Sequence, residues 1–334
     1  MEIERRSFLT GAATLLTASA SPSAQAQEFK DPILVGRDPD APLWPAKEHI
    51  RLWPGIPPGA PNPLPRPRWQ MFPDPNYPQL WIKGIASPEL NVFRPPLPDG
   101  SAILAIPGGG YGFLAVQNEG LHPAERFNAD GTTVFVLSYR LPGEGWADRA
   151  IVPLSDAQRA MRVIRANSAE FRIDPKRLGV LGFSAGGHLA ADLSVSYDAR
   201  VYSAIDAADR QSARPAFVGL VYPVATLDPD ATHADTRDNL LGKEAPAELV
   251  NARSPQSHLT SRSPPSFVVH AFDDLLVPIE NSVRWIAACR RANVSVEAHL
   301  FAEGGHGFGL HLPRSNPGSR WPDLFSLWMR RHGG

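Results

Sequence analysis

Apolar runs of strand length recur along the chain from residue 80 onward, and turn residues end most of them. Continuous runs of β-branched and other apolar residues are typical of strands that are buried on both faces of a parallel sheet. We expect the first two runs to pair as a hairpin. The predicted strands cover residues 80–85, 89–93, 101–106, 132–137, 178–183, 217–222, 266–270 and 294–301.

Between several of these runs, apolar residues recur at the spacing of one helix face. Residues 153–170 show this pattern with a proline near the first turn, where a helix tolerates one. Residues 278–292 and 321–331 are similar. Strands that alternate with helices predict an α/β fold, with a mostly parallel central sheet and helices on both faces. We therefore expect a single α/β domain over residues 80–334.

The first 26 residues have the features of an export signal. Arg5 and Arg6 precede a mildly apolar run over residues 10–20, and residues 24–26 form an Ala-x-Ala site of the kind that signal peptidase cleaves. This combination resembles a twin-arginine signal, and the alternative is a short amphipathic helix. The signal predicts a periplasmic or secreted bacterial protein that uses the twin-arginine export machinery and begins near Gln27 when mature.

Residues 27–79 form a segment rich in proline and tryptophan. Proline fixes φ and lacks an amide hydrogen, so we expect neither a helix nor a central strand here. Trp44, Trp53 and Trp69 lie within the segment, and Trp81 follows it. We expect a strap across the domain surface that these tryptophans anchor. The alternative is that some of the rings line a sugar-binding groove.

Composition excludes several classes of partner and site. Hydrophobic residues make up 43 % of the chain, and the formal net charge is −1. Nucleic acid and anionic membranes both select a basic excess, which this chain lacks. No run of about 18 apolar residues predicts a membrane span in the mature form. Cys289 is the single cysteine, which excludes an internal disulfide and a cysteine-based zinc site, and we expect no metal or cofactor.

A G-x-S-x-G motif follows one predicted strand directly and precedes a helical stretch. When this motif lies on a sharp turn between a strand and a helix, its serine is typically a nucleophile. The serine of the motif is Ser184. Gly182 and Gly186 flank it because larger side chains at those positions would collide with the tight turn. The N-terminus of the following helix favours negative charge that develops at the site.

A serine hydroxyl attacks only when a base removes its proton, and in this arrangement an acid and then a histidine follow the serine. His306 lies in a glycine-flanked loop after the last predicted strand, whereas His311 and His332 lie farther from a strand end. Asp273 and Asp274 both follow the preceding predicted strand. The spacing to the next Val-Pro favours Asp274 as the acid and leaves Asp273 to brace or cap the loop.

Three consecutive glycines follow the predicted strand at residues 101–106. A glycine loop lets backbone N–H groups approach a developing oxyanion closely, and each such donor stabilises the transition state by about 3 kcal/mol. We assign Gly109 and Gly110 to this role, together with the amide of Ala185. A phosphate-binding loop is the alternative, but the lysine and the spacing that it requires are missing.

From about residue 52 the chain resembles the α/β-hydrolase esterases of the hormone-sensitive-lipase-like and acetyl-esterase kind. It most resembles exported bacterial hydrolases that remove acetyl groups from plant polysaccharides such as xylan. The resemblance rests on residues 52–55, 107–111, 138–142, 174–175, 182–188, 274–278 and 305–307. One departure is Pro107, which stands where many relatives carry a histidine that organises the glycine loop.

This resemblance implies an α/β-hydrolase fold and a serine esterase that acts on acetylated carbohydrate through Ser184, His306 and Asp274. Within the enzymes, a feruloyl esterase, a general short-chain carboxylesterase and a serine peptidase remain alternatives. Outside them, the alternative is an inactive homologue that binds carbohydrate.

Residues 226–265 form a polar insertion between two predicted strands. It is either an ordinary helix and long loop or a small cap that shapes the site. Tyr111, Trp146 and His188 are the candidates for contact with the substrate. His188 follows the serine by one helical turn, and packing beneath the site is its alternative role.

Overall fold

The computed structural model describes residues 41–72 and 79–332. The predicted export signal over residues 1–26 lies outside the described residues, as do residues 27–40 and 73–78 of the predicted strap, so these parts stay predictions. Among the described residues, no helix is long and apolar enough to cross a membrane.

Most strands of the described chain belong to one central sheet. The strands are β1 His49–Arg51, β2 Arg68–Phe72, β3 Gln79–Lys83, β4 Glu89–Phe93, β5 Ala102–Ile106, β6 Thr133–Ser138, β7 Leu178–Phe183, β8 Val218–Val221, β9 Ser266–Ala271 and β10 Val296–Phe301. Eight of them form the central sheet, in the order β1-β4-β6-β5-β7-β8-β9-β10. Neighbouring strands from β6 to β10 in that order are parallel, whereas β4 is antiparallel to β1 and β6. The sheet is mostly parallel, as predicted.

Helices cover both faces of this sheet. They are α1 His122–Asn128, α2 Val152–Ala166, α3 Ser168–Phe171, α4 Ser184–Ser196, α5 Ala234–Leu241, α6 Ala247–Ala252, α7 Glu280–Arg291 and α8 Trp321–His332. On β7, a Cβ added to Gly182 would lie 2.6 Å from that of Ala190 in α4, whereas the next residue, Phe183, packs against Trp321 of α8. Successive residues of a strand point to opposite faces, so α4 and α8 lie on opposite sides of the sheet.

Burial explains the patterns from which these elements were predicted. Every residue of β5, β6 and β7 is buried, so these strands show continuous apolar runs instead of alternation. Helix α2 carries Pro153 in its first turn and buries Leu154, Ala157 and Met161, as the helical stripe predicted. The predicted α/β architecture, a mostly parallel sheet between two layers of helices, is confirmed.

The predicted hairpin between residues 80–85 and 89–93 is wrong. β3 pairs instead with β2 in a separate two-stranded sheet, and β4 joins the central sheet between β1 and β6. The chain turns at Gly84, whose φ is +72°, and the Glu144 carboxylate accepts hydrogen bonds from the amides of Gly84 and Ile85. A turn that is held by a side chain about sixty positions away leaves no signal in the local pattern.

The described part of the proline-rich segment packs into the domain and does not only cross its surface. Its strand β1 is the edge strand of the central sheet. Trp44 and Trp53 are only 4 % and 3 % exposed, so their rings are not open to a sugar. Trp81 is half-buried, with its ring stacked between those of Phe72 and Phe113. These tryptophans therefore anchor the segment to the rest of the domain.

Candidate active site

Ser184 occupies a sharp turn between β7 and α4. Its φ of +52° is one that serine adopts only under constraint. A Cβ on Gly182 would lie 2.3 Å from the carbonyl oxygen of Gly186, and one on Gly186 would lie 2.1 Å from that of Ile106. Such distances are far inside van der Waals contact, so both glycines of the motif are required for the turn to form.

The structure brings Ser184, His306 and Asp274 into one hydrogen-bonded chain. The Ser184 Oγ lies 2.9 Å from the His306 Nε2, and the His306 Nδ1 lies 2.7 Å from the Asp274 Oδ2. In this arrangement Nδ1–H donates to the carboxylate and Nε2 accepts from the serine hydroxyl. Asp273 has a different partner, because its Oδ1 accepts from the Gly305 amide at 2.7 Å. His311 instead lies 2.9 Å from the ring of His122.

The Asp274 carboxylate is held in its ionised form. Its Oδ1 accepts from the amides of Leu276 and Val277, both at 2.9 Å, and its Oδ2 lies 3.0 Å from the His270 Nε2. Burial alone would raise the pKa of Asp274, but the hydrogen bonds from His270, His306 and Val277 outweigh it and hold the pKa well below its ordinary value. The carboxylate is thus available to orient and stabilise His306 as an imidazolium.

His270 is a part of the site that the sequence interpretation missed. Its ring lies at the end of β9, fully buried, with Nδ1 2.8 Å from the Ser282 Oγ. Nε2 then donates to Asp274 and to the carbonyl of Val277. One feature of the sequence could have indicated this role. His270 is a polar residue at the end of an otherwise apolar predicted strand, four residues before Asp274.

The glycine loop after β5 lies directly against the serine turn. A Cβ on Gly108 would lie 2.8 Å from the Ser184 Cβ, so only glycine permits this approach. The Gly108 amide donates to the Glu119 carboxylate at 2.6 Å. The amides of Gly109 and Gly110 have no hydrogen-bond acceptor within the described residues. Ala185 stands in the first turn of α4, where helix amides lack an internal acceptor. These three amides are therefore free to bind an anion.

Two buried side chains, Tyr139 and Glu119, hold the glycine loop. The Tyr139 hydroxyl donates to the Pro107 carbonyl at 2.8 Å. Glu119 lies in a π-helical turn, Gln117–Leu121, and accepts from the Tyr222 hydroxyl at 2.9 Å as well as from the loop. Irregular helical turns of this type are frequent at functional sites. No local pattern distinguished Glu119 from an ordinary surface glutamate.

Glu119 also links the glycine loop to the histidine loop. The Tyr222 hydroxyl that donates to it accepts from the Gly309 amide at 3.1 Å, and the Tyr222 ring packs against that of His306 at 4.9 Å. Burial raises the pKa of Glu119, and the Gly108 amide, the charge of His306 and the Tyr222 hydroxyl oppose that rise. A single buried carboxyl group thus holds both sides of the site.

The three predicted substrate-contact residues are buried, which departs from the expectation for Tyr111 and Trp146 and matches the alternative role of His188. Tyr111 is 1 % exposed, and its hydroxyl lies 2.8 Å from the His188 Nδ1. The His188 Nε2 donates to the Arg253 carbonyl, and burial lowers the pKa of His188 to about 3, so the ring is neutral. Trp146 is buried against the Arg140 guanidinium. All three are held by packing within the protein, and Tyr111 and His188 are also held by hydrogen bonds.

The insertion over residues 226–265 lies against the glycine loop. The Asn239 Nδ2 donates to the Gly110 carbonyl at 2.8 Å, and Arg149 donates to the Asn239 carbonyl at 2.6 Å. His233, directly before α5, lies beside Gly110. The sequence interpretation assigned no contact to either residue, because both are polar residues in a polar stretch.

Comparison with known proteins agrees with the fold. A family model named BD-FAE matches residues 90–288, which is more than half of the chain. The chain belongs to the BD-FAE family. In solved structures, the α/β hydrolase MGS-M1 from a Medee basin deep-sea metagenome library is 26 % identical, with a TM-score of 0.54 over 74 % of this chain and 92 % of that one. The α/β-hydrolase fold implied by the resemblance is confirmed.

Several similar proteins have names that refer to xylan or xylosides. An acetylxylan esterase from Xylanibacter ruminicola is 36 % identical over 65 % of this chain, and endo-1,4-beta-xylanase B from Butyrivibrio fibrisolvens is 36 % identical over 61 %. The chain spans only 43 % and 32 % of the length of these two relatives. An acetyl ester-xyloside bifunctional hydrolase from Caldicellulosiruptor lactoaceticus is 33 % identical, with a TM-score of 0.69 over 88 % of this chain and 99 % of that one.

No group of three or more histidine, cysteine, aspartate or glutamate side chains in the described part of the chain could hold a metal ion. The absence of a cofactor stays a prediction.

Proposed function

We propose that the protein is a serine carboxylic-ester hydrolase that removes acetyl groups from plant polysaccharides or oligosaccharides such as acetylated xylan. The observation that carries the proposal is the hydrogen-bonded chain from Ser184 through His306 to Asp274, beside three amides for which the described residues offer no acceptor. A serine in contact with an oriented base, next to donors for an oxyanion, has the parts that acyl transfer requires.

In the proposed first half-reaction, the Ser184 Oγ attacks the ester carbonyl carbon while His306 Nε2 takes the hydroxyl proton. The carbonyl oxygen becomes an oxyanion that accepts hydrogen bonds from the Gly109, Gly110 and Ala185 amides. The Asp274 carboxylate stabilises the imidazolium. When the tetrahedral intermediate collapses, the bond to the sugar oxygen breaks, His306 returns its proton to that oxygen, and acetyl-serine remains.

The second half-reaction repeats the same chemistry with water. His306 takes a proton from a water molecule, whose oxygen attacks the acetyl carbon. The same three amides stabilise the second oxyanion. Its collapse breaks the bond to the Ser184 Oγ, which recovers the proton from His306, and acetate leaves.

The choice of substrate rests on the names of similar proteins. An acetylxylan esterase and an acetyl ester-xyloside hydrolase are among them, which favours acetylated xylan. Acetate release from acetylated xylan, glucomannan and pectin, compared with ferulate release from arabinoxylan, tests this choice. We expect acetate from xylan as the main product. Ferulate as the main product would replace the proposed substrate by a feruloyl ester.

The Ser184→Ala variant tests the mechanism, because it removes only the hydroxyl oxygen of a buried side chain. We expect acetate release to fall by about 10⁴-fold or more, and the same loss for His306→Ala. Acetate release by Ser184→Ala at the unchanged rate would exclude the proposed nucleophile.

We also propose that the protein is exported, to the periplasm or out of the cell, by the twin-arginine machinery. Support comes from Arg5 and Arg6, the apolar run that follows them and the Ala-x-Ala site at residues 24–26. Export would place the enzyme where plant polysaccharide fragments occur.

A further inference from the structure

A second histidine, His233, stands beside the oxyanion-binding amides. A Cβ added to Gly110 would lie 3.6 Å from the His233 Cε1, so one edge of the imidazole is in contact distance of the glycine loop. The His233 Nδ1 lies 2.8 Å from the Thr236 Oγ1. The other ring nitrogen, Nε2, has no hydrogen-bond partner within the described residues, and the side chain is only half-buried. An open polar atom therefore stands next to Gly110.

His233 is fixed relative to the glycine loop by contacts that do not involve its own ring. It directly precedes α5, and Asn239 on that helix donates to the Gly110 carbonyl at 2.8 Å. Arg149 in turn donates to the carbonyls of Asp238 and Asn239. A side chain that stands on such a support is preorganised for a ligand.

His233 lies near the charged groups of the active site. Burial lowers the pKa of His233, and the charge of His306 acts in the same direction. The carboxylates of Asp235 and Asp274 act in the opposite direction but do not outweigh burial, so the pKa lies below its ordinary value. The two imidazoles are thus close enough to interact electrostatically. With its pKa lowered, the His233 ring is neutral at pH 7, so one nitrogen donates and the other accepts a hydrogen bond.

The chemistry of an acetyl ester limits what Nε2 can bind. The acetyl group carries only its carbonyl oxygen, which the three amides take, and a methyl group. The other polar groups of an acetylated sugar are hydroxyls and ring oxygens of the leaving alcohol. His306 protonates that alcohol, so the alcohol oxygen lies beside His306, while the carbonyl oxygen lies at the glycine loop that His233 contacts.

We propose that the His233 Nε2 binds a hydroxyl group of the leaving alcohol close to the ester, and thereby selects esters of polyhydroxylated alcohols over esters of simple ones. This inference rests on the ester hydrolysis proposed above. His233 is a specificity-determining residue in this proposal, and it takes no part in bond making or breaking.

The test compares two small acetate esters with the same ring size. A methyl xyloside monoacetate carries hydroxyls beside the ester, whereas cyclohexyl acetate carries none. His233→Asn keeps an amide near the position of Nδ1, for the bond to Thr236, but has no atom near Nε2. His233→Gln places an amide near Nε2. His258→Ala, an exposed histidine in the same insertion, is the matched control.

We expect the wild-type protein to prefer the xyloside ester, and His233→Asn to lower kcat/KM for it by about tenfold, as expected for the loss of one hydrogen bond between uncharged groups. For cyclohexyl acetate, His233→Asn should stay within about twofold of wild type. His233→Gln should recover part of the preference, and His258→Ala should change neither rate.

Three outcomes would overturn the inference. They are equal rates of the wild-type protein on both esters, equal losses on both esters in His233→Asn, and no loss on either. If His233→Asn does not fold, the ratio of kcat/KM for the two esters in the wild-type protein and in His233→Gln still tests the inference. Acetate release from polymeric xylan tests the proposed substrate separately. If the protein releases no acetate from xylan but His233→Asn still lowers kcat/KM for the xyloside ester selectively, the role of His233 stands and only the proposed polymer substrate is wrong.

Discussion

Backbone strain at Ser184 shows how single residues create this site. A serine with φ near +50° is less stable than one in an ordinary conformation by about 1–3 kcal/mol. The strain persists because β7 and α4 hold both ends of the turn, and because Gly182 and Gly186 leave room for it. In return the hydroxyl points out of the turn, 2.9 Å from the His306 ring.

Two adjacent aspartates differ in what they contact, which predicts different effects of the same substitution. Asp274→Asn removes the ionised acceptor that sets the His306 tautomer, and we expect kcat to fall by about 10⁴-fold. Asp273→Asn keeps an oxygen that can accept from the Gly305 amide, so kcat should stay within about threefold. Steady-state kinetics on an acetate ester measures both. A larger loss in Asp273→Asn would reverse the assignment.

The buried Glu119 carboxyl group predicts a loss of turnover from a residue that does not touch the substrate. Glu119→Ala frees the Gly108 amide and loosens the glycine loop, so we expect kcat to fall by about 10²-fold with little change in KM, because oxyanion contacts form mainly in the transition state. Glu119→Gln keeps one acceptor and should lose about tenfold.

The matched control for Glu119 is Glu125→Gln, an exposed glutamate in the neighbouring helix. Kinetic constants of the three variants should be measured with the melting temperature of each. A rise in KM at constant kcat in Glu119→Ala would contradict the role assigned to this residue.

At the scale of elements, the site forms because loops from four parallel strands meet at one edge of the sheet. The glycine loop follows β5, Ser184 follows β7, Asp274 follows β9 and His306 follows β10. Parallel strands end at the same edge, so residues as far apart in the sequence as Ser184 and His306 come into contact there. The order of the strands in the sheet, and not their order in the chain, decides which loops are neighbours.

His188 on helix α4 makes hydrogen bonds with Tyr111 of the glycine loop and with the Arg253 carbonyl of the insertion. Because this ring is buried and neutral, we predict that the stability of the protein depends on pH. The unfolded chain takes up a proton near the ordinary pKa of 6.5, whereas burial lowers the pKa of His188 to about 3 in the folded protein. Protonation therefore favours the unfolded state. Between these two values, His188 lowers the free energy of unfolding by up to about 1.4 kcal/mol per pH unit as the pH falls.

The measurement is urea unfolding of wild type and His188→Asn at several pH values between 7 and 4. The variant should lose stability more slowly as the pH falls, whatever its stability at pH 7. His258→Asn, at an exposed position, should keep the wild-type slope. Identical slopes for all three proteins would show that His188 is not the group responsible.

At the scale of the whole molecule, the described part of the proline-rich segment belongs to the core of the α/β domain. The Trp53 Nε1 donates to Asp156 at 2.8 Å, and Asp156 also pairs with the buried Arg140. Arg140 donates in turn to the Pro58 carbonyl at 2.7 Å. Removal of one partner from a buried ion pair typically costs about 3–5 kcal/mol. The segment and the sheet should therefore unfold together.

Export by the twin-arginine route predicts a defined mature chain. In the native host, we expect mass spectrometry to find an N-terminus near Gln27, because cleavage follows the Ala-x-Ala site. Replacing both Arg5 and Arg6 by lysine keeps the charge but should retain the precursor inside the cell. The same replacement at Arg290 and Arg291, in the last turn of α7, is a matched control. An intact N-terminus on protein outside the cytoplasm would contradict the proposed cleavage.

The sequence by itself determined the features that depend on short stretches of chain. Strand runs, the helical stripe of α2 and the α/β class follow from local burial patterns, which a few consecutive residues encode. The G-x-S-x-G turn and the positions of Asp274 and His306 after strands were likewise readable. The structure joins these three residues into one hydrogen-bonded chain.

Only the tertiary structure decided which distant residues meet. Apolar patterns predicted β3 and β4 but not their partners, because pairing depends on the whole sheet and on Glu144 at the turn. For the same reason, the sequence placed Tyr111 at the site surface and overlooked Glu119. Their surroundings come from segments 77 to 103 positions away, and a residue's burial and hydrogen bonds exist only after those segments have packed.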